Sequence, residues 1–509
     1  MTKNKQLIIN MSASFFSYLV TFGISFVLSP YIVKKVGVEA NGFVTLANNF
    51  VSYASLITIA LNALAGRFIT IKVYEKNYEG ANKYFSSVFI ANGAISLVLL
   101  LISVVVWVFL EKLINIPNNI FWDVKILFAA MFMNCIISTV GSVFTVSTFA
   151  TNKLYLNYMR TMESSIIRAI VLVVLFAFFS PNICYLGITS LLTGVYCFVY
   201  NIHYTRKLLP FIHIKRQYFD FAAVKKLVSS GVWNLVTRLG QLLNDGLDLL
   251  ITNIFIDATS MGVLSLAKTL PSLITSIVGT LVGVFSPNFT ILYAENKMDE
   301  LVKAVKQSMK IMGIIANLPI IVLLVCGKRF FSLWQPTQDA STLHILSILT
   351  CAGLIFNGGI NCIYDIFTVV NKLKLNSIVT VVCGLISIII VFILLNTTNL
   401  GIYAVAGVST SIAIIKNLTI IIPYSAKCLD LKCYAFYPYV IRPVVFVLMS
   451  SVISIFAIKV INHSGWIGLI ICAIITVFIS MLIGMFVILR KADREHLKSI
   501  VLKKVKKHG

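Results

Sequence analysis

Six polar residues recur at helical spacing within one apolar stretch, VSSGVWNLVTRLGQLLNDGLDLLITNIFI at 228–256. They are Asn234, Arg238, Gln241, Asp245, Asp248 and Thr252, separated by 4, 3, 4, 3 and 4 positions. At ~3.6 residues per turn that spacing puts all six on one helical face, with Leu and Val on the rest. The stretch is long enough to cross a bilayer. A charge facing lipid at the bilayer centre costs at least ~2.5–3.5 kcal/mol, so the face is expected to look into protein or a water-filled cavity. It is either a path for a substrate or an ion, or an internal ion-pair network that locks helices together.

The other cations within apolar stretches are Arg160, Arg168, Lys268, Lys416 and Arg442, and the other acids are Glu163 and Asp365. Arg238 stands ten residues into its span, which at 1.5 Å per residue is roughly 15 Å deep, near the midplane. Arg168, thirteen residues along its span, is also about midway. Neither has an acid at i±3 or i±4. Unpaired guanidinium groups at that depth suit a phosphate, which arginine grips through paired hydrogen bonds. The alternative for each is a bond to backbone carbonyls. Lys268 lies at a depth comparable with Asp248 and is expected to pair with Asp245 or Asp248. Arg160 and Glu163, at i and i+3, are expected to form a local ion pair, while Arg160 and Arg442 could also snorkel to the inner interface. Asp245, Asp248 and Asp365 are the acids placed to bind a coupling proton or Na⁺, or to hold an internal ion pair.

The elements that must carry these residues follow from composition. The 509 residues are 59% hydrophobic and 12% charged, with mean hydropathy +0.94. Apolar runs of about 20 residues recur from end to end, which makes this an all-α polytopic membrane protein. The alternation of a transmembrane β-barrel is absent. We read fourteen spans: 7–33, 43–66, 84–110, 121–150, 155–180, 183–205, 228–256, 261–290, 304–326, 341–370, 374–396, 400–425, 435–461 and 465–489. The first is too long for the apolar part of a secretory signal and reads as a retained helix. The ten cysteines are scattered with no metal or redox spacing, as small hydrophobes of a membrane interior would be.

A net charge of +24 would suggest nucleic acid in a soluble protein; here the basic residues collect beside membrane spans. With the N-terminus inside, inner segments hold 29 of the 42 Lys and Arg and outer segments hold 7. That bias places both termini in the cytoplasm. The chain also repeats itself. Gly42-Phe-Val-Thr-Leu-Ala47 returns as Gly262-Val-Leu-Ser-Leu-Ala267, 220 positions on, and Asn152-Lys-Leu-Tyr-Leu-Asn157 returns as Asn371-Lys-Leu-Lys-Leu-Asn376, 219 positions on. Six spans bring the chain back to its starting side, so the halves are expected to be parallel repeats about an axis along the membrane normal. The organisation expected is an N-lobe of six spans over 1–210, a basic cytoplasmic linker over 211–227 and a C-lobe of six spans over 228–430. A further helix pair over 431–490 and a basic tail over 491–509, resting on the anionic inner leaflet, complete it.

No GxxxxGK[ST], HExxH or GxSxG occurs, and the loops are too short to hold a catalytic domain. A transporter is expected, not an enzyme, and no cofactor or metal. With fourteen spans, a 6+6 repeat, an extra terminal pair and the Gly-Val-Glu-Ala-Asn-Gly-Phe turn at 37–43, the chain resembles the Wzx-type polysaccharide flippases of the multidrug/oligosaccharidyl-lipid/polysaccharide exporter superfamily. The resemblance spans the whole chain. It implies two six-helix lobes around a V-shaped cavity in the bacterial cytoplasmic (inner) membrane. The cavity would move an undecaprenyl-diphosphate-linked oligosaccharide repeat unit to the outer leaflet, for capsule or O-antigen assembly. The polymerase and glycosyltransferases of the same pathway would be its partners. Arg168, Arg238, Lys268 and Lys416 fit the cavity cations that such proteins turn to the diphosphate and sugar acids. The rivals are a lipid II-type flippase, a cation-coupled multidrug extruder and a membrane-embedded glycan polymerase or ligase. Drug extruders tend to carry an acid in the first helix, and 7–33 has none. Lipid II flippases carry arginines in the first two helices, where this chain has none before Arg67.

Overall fold

The computed structural model describes residues 3–370, 372–459 and 465–489, and every regular element among them is helical. The basic tail at 491–509 and Asn371 of the repeated motif lie outside the described residues. Thirteen stretches among those described are long and apolar enough to cross a membrane. The protein is a multi-pass membrane protein. The stretch at 228–256 is not among the thirteen; it is divided between two helices, Phe221–Gln241 and Asp248–Phe255, and a π-turn between them.

Contacts divide the chain into two compact units, Met1–Ser265 and Leu266–Gly509. The first unit begins with α1 (Lys3–Val36), α2 (Val38–Tyr74) and α3 (Tyr78–Val108), then the short α4 (Leu110–Leu113). Next come α5 (Phe121–Gly141), α6 (Val146–Ala150), α7 (Tyr155–Phe178) and α8 (Cys184–Leu208). It closes with α9 (Phe221–Gln241), α10 (Asp248–Phe255) and most of α11 (Ala258–Ala267). Gly37 alone joins α1 to α2, at φ 97°, a left-handed backbone that glycine adopts without strain. One apolar core runs through Leu61, Ile69, Phe85, Val88, Phe144 and Leu227, so α9 is anchored against α2 and α3.

The basic segment ahead of α9 is fastened along α3. The Asn82 amide donates to the Phe211 carbonyl at 3.1 Å and accepts from the His213 N–H at 2.6 Å, and the Asp220 N–H reaches Ser87 Oγ at 2.9 Å. Asp220 then caps α9 by accepting from the Ala222 N–H at 2.9 Å. Its carboxyl is held below the usual carboxylate range, first by the hydrogen bond from Lys83 and then by that backbone amide.

The second unit contains α12 (Thr269–Gly283), α13 (Ser286–Ala294), α14 (Met298–Ile315) and α15 (Leu318–Trp334). It continues with α16 (Ala340–Val369), α17 (Leu373–Thr397), α18 (Ile402–Lys416) and α19 (Ile422–Cys428), then α20 (Pro438–Ile458) and α21 (Gly465–Val487). Helix α16 is its centre, packed by α12, α14, α15, α18 and α20, while α21 lies on α15 and α20. Small residues make this possible: a Cβ on Gly358 would meet Ala316 at 2.8 Å, and one on Gly359 the Met309 carbonyl oxygen at 3.3 Å.

The repeated glycines of the sequence meet within the first unit. A Cβ on Gly42 would lie 2.9 Å from the Gly262 Cα, and one on Gly262 only 2.6 Å from the Val38 carbonyl oxygen. Asn41 Nδ2 donates to Ser265 Oγ at 2.8 Å and Thr259 to Glu39 at 2.7 Å, closing the same crossing. Gly262→Ala is therefore expected to cost about 1–3 kcal/mol by overpacking against backbone, read as a lower melting temperature in detergent. Gly407→Ala, whose methyl would find its nearest atom, Leu349 Cδ2, at 4.0 Å, should leave it unchanged or raised.

Candidate functional site

The polar stripe lies on α9, a π-helical turn at Leu242–Gly246, and α10, with a bend at Leu247 between the last two. A π-turn bonds i to i+5, so it holds one residue more than an α-turn and rotates everything after it by about 100°. The single face expected from the 4, 3, 4, 3, 4 spacing is therefore divided. Arg238, Gln241 and Asp245 are exposed, whereas Asp248 is 5% exposed and Thr252 fully buried. Asn234 belongs to α9, and its side chain is outside the described residues.

The turn also displaces a backbone carbonyl from the regular helical ladder. That of Gly246 accepts the Tyr53 hydroxyl at 2.5 Å and the Asn49 amide at 3.3 Å, both from α2. At the far end of α10, Asn253 and Asn115 exchange bonds: the Asn115 N–H donates to Asn253 Oδ1 at 2.7 Å, and Asn253 Nδ2 to the Asn115 carbonyl at 3.1 Å. The α9–α10 pair is thus bound to the first unit at its base, its break and its end.

Arg238 donates to Gln241 Oε1 at 3.1 Å, and Asp245 accepts from Asn244 Nδ2 at 2.8 Å. Arg168, half-buried on α7, has no acid within ion-pair distance among the described residues, and neither has Arg238. Arg160 and Glu163 form the expected i, i+3 pair. Sequence spacing did not indicate the rest of that cluster: the Tyr196 hydroxyl bridges both side chains, and the Tyr200 ring lies 4.6 Å from the guanidinium.

The second unit has its own polar cluster. Lys416 ends α18 and stands 5.9 Å from the Tyr364 ring centroid. A second π-turn, Asn417–Ile421, follows at once. The Tyr364 hydroxyl donates to Asn417 Oδ1 at 2.6 Å, Asn417 Nδ2 donates to Asn357 Oδ1, and the Tyr437 hydroxyl takes the Leu418 carbonyl. Asp365 has Ser286 as its hydroxyl neighbour, while its Oδ2 is buried without a hydrogen-bond partner among the described residues. Lys268 stands at the break between α11 and α12. Of the expected cations, Arg168 and Arg238 thus belong to the first unit, and Lys268 and Lys416 to the second.

Sequence reading passed over the neutral polar groups. Asn62, Asn92 and Ser142, from three segments of the first unit, bond one another at 2.9–3.2 Å. An Asn inside an apolar span is as costly to leave unpaired as many charges are to bury, so these residues carried a usable signal. Among the described residues no group of His, Cys, Asp and Glu could hold a metal ion.

The family described as "Polysaccharide biosynthesis protein" matches residues 7–293, more than half of the chain. A protein of Bacillus subtilis (strain 168), described as "Uncharacterized membrane protein EpsK", is 26% identical over 499 residues, covering 98% of each chain. Among solved structures, the lipid II flippase MurJ in an inward closed conformation superposes with TM-score 0.66 at 16% identity, over 94% of this chain and 98% of that one. An inward-facing multidrug resistance MATE family transporter of the MOP superfamily gives 0.65 at 13% identity, over 83% and 98%. The chain shares their fold.

The hydroxyl of Tyr53 is the test of the broken helix. Tyr53→Phe leaves the Gly246 carbonyl with the longer Asn49 bond alone and should cost about 1–2 kcal/mol. Amide hydrogen exchange over 242–250 should quicken while that of α16 stays unchanged.

Proposed function

The chain belongs to the polysaccharide biosynthesis protein family, and from that premise we propose that it is a flippase for an undecaprenyl-diphosphate-linked oligosaccharide repeat unit. It carries that lipid from the inner to the outer leaflet of the bacterial cytoplasmic membrane by alternating access, with both termini in the cytoplasm. The observation that carries this reading is the pair Arg168 and Arg238, which have no acid partner among the described residues. A guanidinium held in a membrane span without a counter-ion is costly, and a diphosphate cargo supplies the missing charge through paired hydrogen bonds. The fold shared with a lipid II flippase supports a lipid-linked cargo.

With no nucleotide motif in the chain, the driving force is an ion gradient, the membrane potential or removal of the flipped product. Asp365 is the foremost candidate for a coupling H⁺ or Na⁺, since a buried carboxylate oxygen without a partner gains most from one. Asp245 and Asp248 are the others.

Arg238→Ala and Arg168→Ala should each abolish surface polysaccharide while the protein still accumulates in the membrane. Arg238→Lys should restore it only in part, because lysine keeps the charge and loses the planar fork. Normal polysaccharide from the alanine variants would assign both residues to structure. For the coupling acid, Asp365→Asn should remove any acceleration of transport by an imposed H⁺ or Na⁺ gradient in proteoliposomes, and an unchanged response would exclude Asp365.

A further inference from the structure

A cavity of about 470 Å³ lies within the first unit, between α2 and α5. Ser55, Thr58, Asn62, Asn134, Ser138, Thr139 and Ser142 line it beside Val51, Ile59 and Cys135, and among the described residues no charged or aromatic side chain does. Its polar groups are held in place from behind. Asn92, fully buried, donates to Asn62 Oδ1 at 3.1 Å and to Ser142 Oγ at 2.9 Å.

The hydrogen-bonding capacity of the wall is left partly unspent. Ser55, Thr58 and Ser142 donate their hydroxyl hydrogens to carbonyls of the chain at 2.8, 2.8 and 2.9 Å. Each therefore offers only lone pairs to anything in the cavity. Asn62 uses one of its two amide hydrogens, on Asn92 at 3.2 Å. Asn134 makes no hydrogen bond with any described residue, and its Oδ1 is buried against Gly194, where a Cβ would lie 1.8 Å away.

We propose that this cavity is the sugar subsite of the transporter, which takes an uncharged hexose of the lipid-linked cargo while the diphosphate is bound elsewhere. The inference rests on the lipid-linked reading of the function. Neighbouring acceptors and donors without charge match the vicinal hydroxyls of a sugar, each of which both donates and accepts. A phosphate, which only accepts, would leave the lone pairs of Ser55, Thr58 and Ser142 unmet and would find no cation among the described lining residues. A single metal cation, coordinated at ~2–2.6 Å, is far too small for this volume, and a flat organic cation would find no aromatic face. The volume lies in the range of about 300–1,000 Å³ for small-ligand sites. The cavity also lies toward the basic 67–83 segment, Asn62 being five residues from Arg67. On the proposed topology that is the side from which cargo loads.

The full chain in lipid nanodiscs tests this with two probes, undecaprenyl diphosphate and the same lipid carrying one neutral hexose. Wild-type protein should prefer the glycosylated lipid by about ten-fold, the worth of one or two hydrogen bonds. Thr58→Val, which keeps the shape of the side chain, and Asn134→Leu should each reduce that preference without weakening the bare lipid. A preference that survives both variants overturns the subsite, as does wild-type protein binding both lipids equally. Wild-type protein that binds neither lipid overturns the lipid-linked reading itself. A preference that vanishes when Na⁺ is replaced by K⁺ assigns the cavity to a cation and overturns the sugar.

Discussion

In hydrocarbon a polar group has no water to turn to, so each one must be satisfied by the protein itself. That constraint shapes both units of this chain. Each has a helix that leaves α-geometry for one π-turn, at Leu242–Gly246 and at Asn417–Ile421. In each, a tyrosine hydroxyl from another segment takes up a carbonyl of the turn, Tyr53 for Gly246 and Tyr437 for Leu418. Asparagine pairs do the same service at Asn62–Asn92 and Asn357–Asn417. π-turns are uncommon and occur often at functional sites, and here each follows closely on a cation, Arg238 or Lys416.

The groups that escape the constraint are as informative as those that obey it. Arg160 is bound by Glu163, Tyr196 and Tyr200, and so has a structural account. Among the described residues Arg168 and Arg238 have no such acid, and Asp365 Oδ2 and Asn134 Oδ1 are likewise unmet. Unmet polar groups in a membrane span are expensive, and a ligand that comes and goes is the simplest compensation. On this account the cargo completes the protein's hydrogen bonding: cations for its diphosphate, neutral amides and hydroxyls for its sugar.

Local features were legible in the sequence and relational ones were not. Helical spans follow from apolar runs of membrane length, and the Arg160–Glu163 pair from two residues on one helix. The stripe at 234–252 was readable as polar, but not its division, because periodicity assumes one uniform helix and a π-turn inserts a residue that no composition marks. The repeat identified Gly42 and Gly262 as equivalents. That they touch depends on two helices crossing closely enough to leave no room for a Cβ. The Asn62–Asn92–Ser142 cluster and the cavity beside it join three segments distant in sequence, which spacing along one helix cannot reveal.

Transport of the lipid itself tests the account most directly. The full chain reconstituted in liposomes should carry a fluorescent undecaprenyl-diphosphate-linked oligosaccharide across the bilayer. The double variant Arg168→Ala, Arg238→Ala, inserted to the same level, should fall to the rate of protein-free liposomes. Transfer by the double variant at the wild-type rate would contradict the account, as would a wild-type protein that leaves this lipid unmoved while extruding an organic cation.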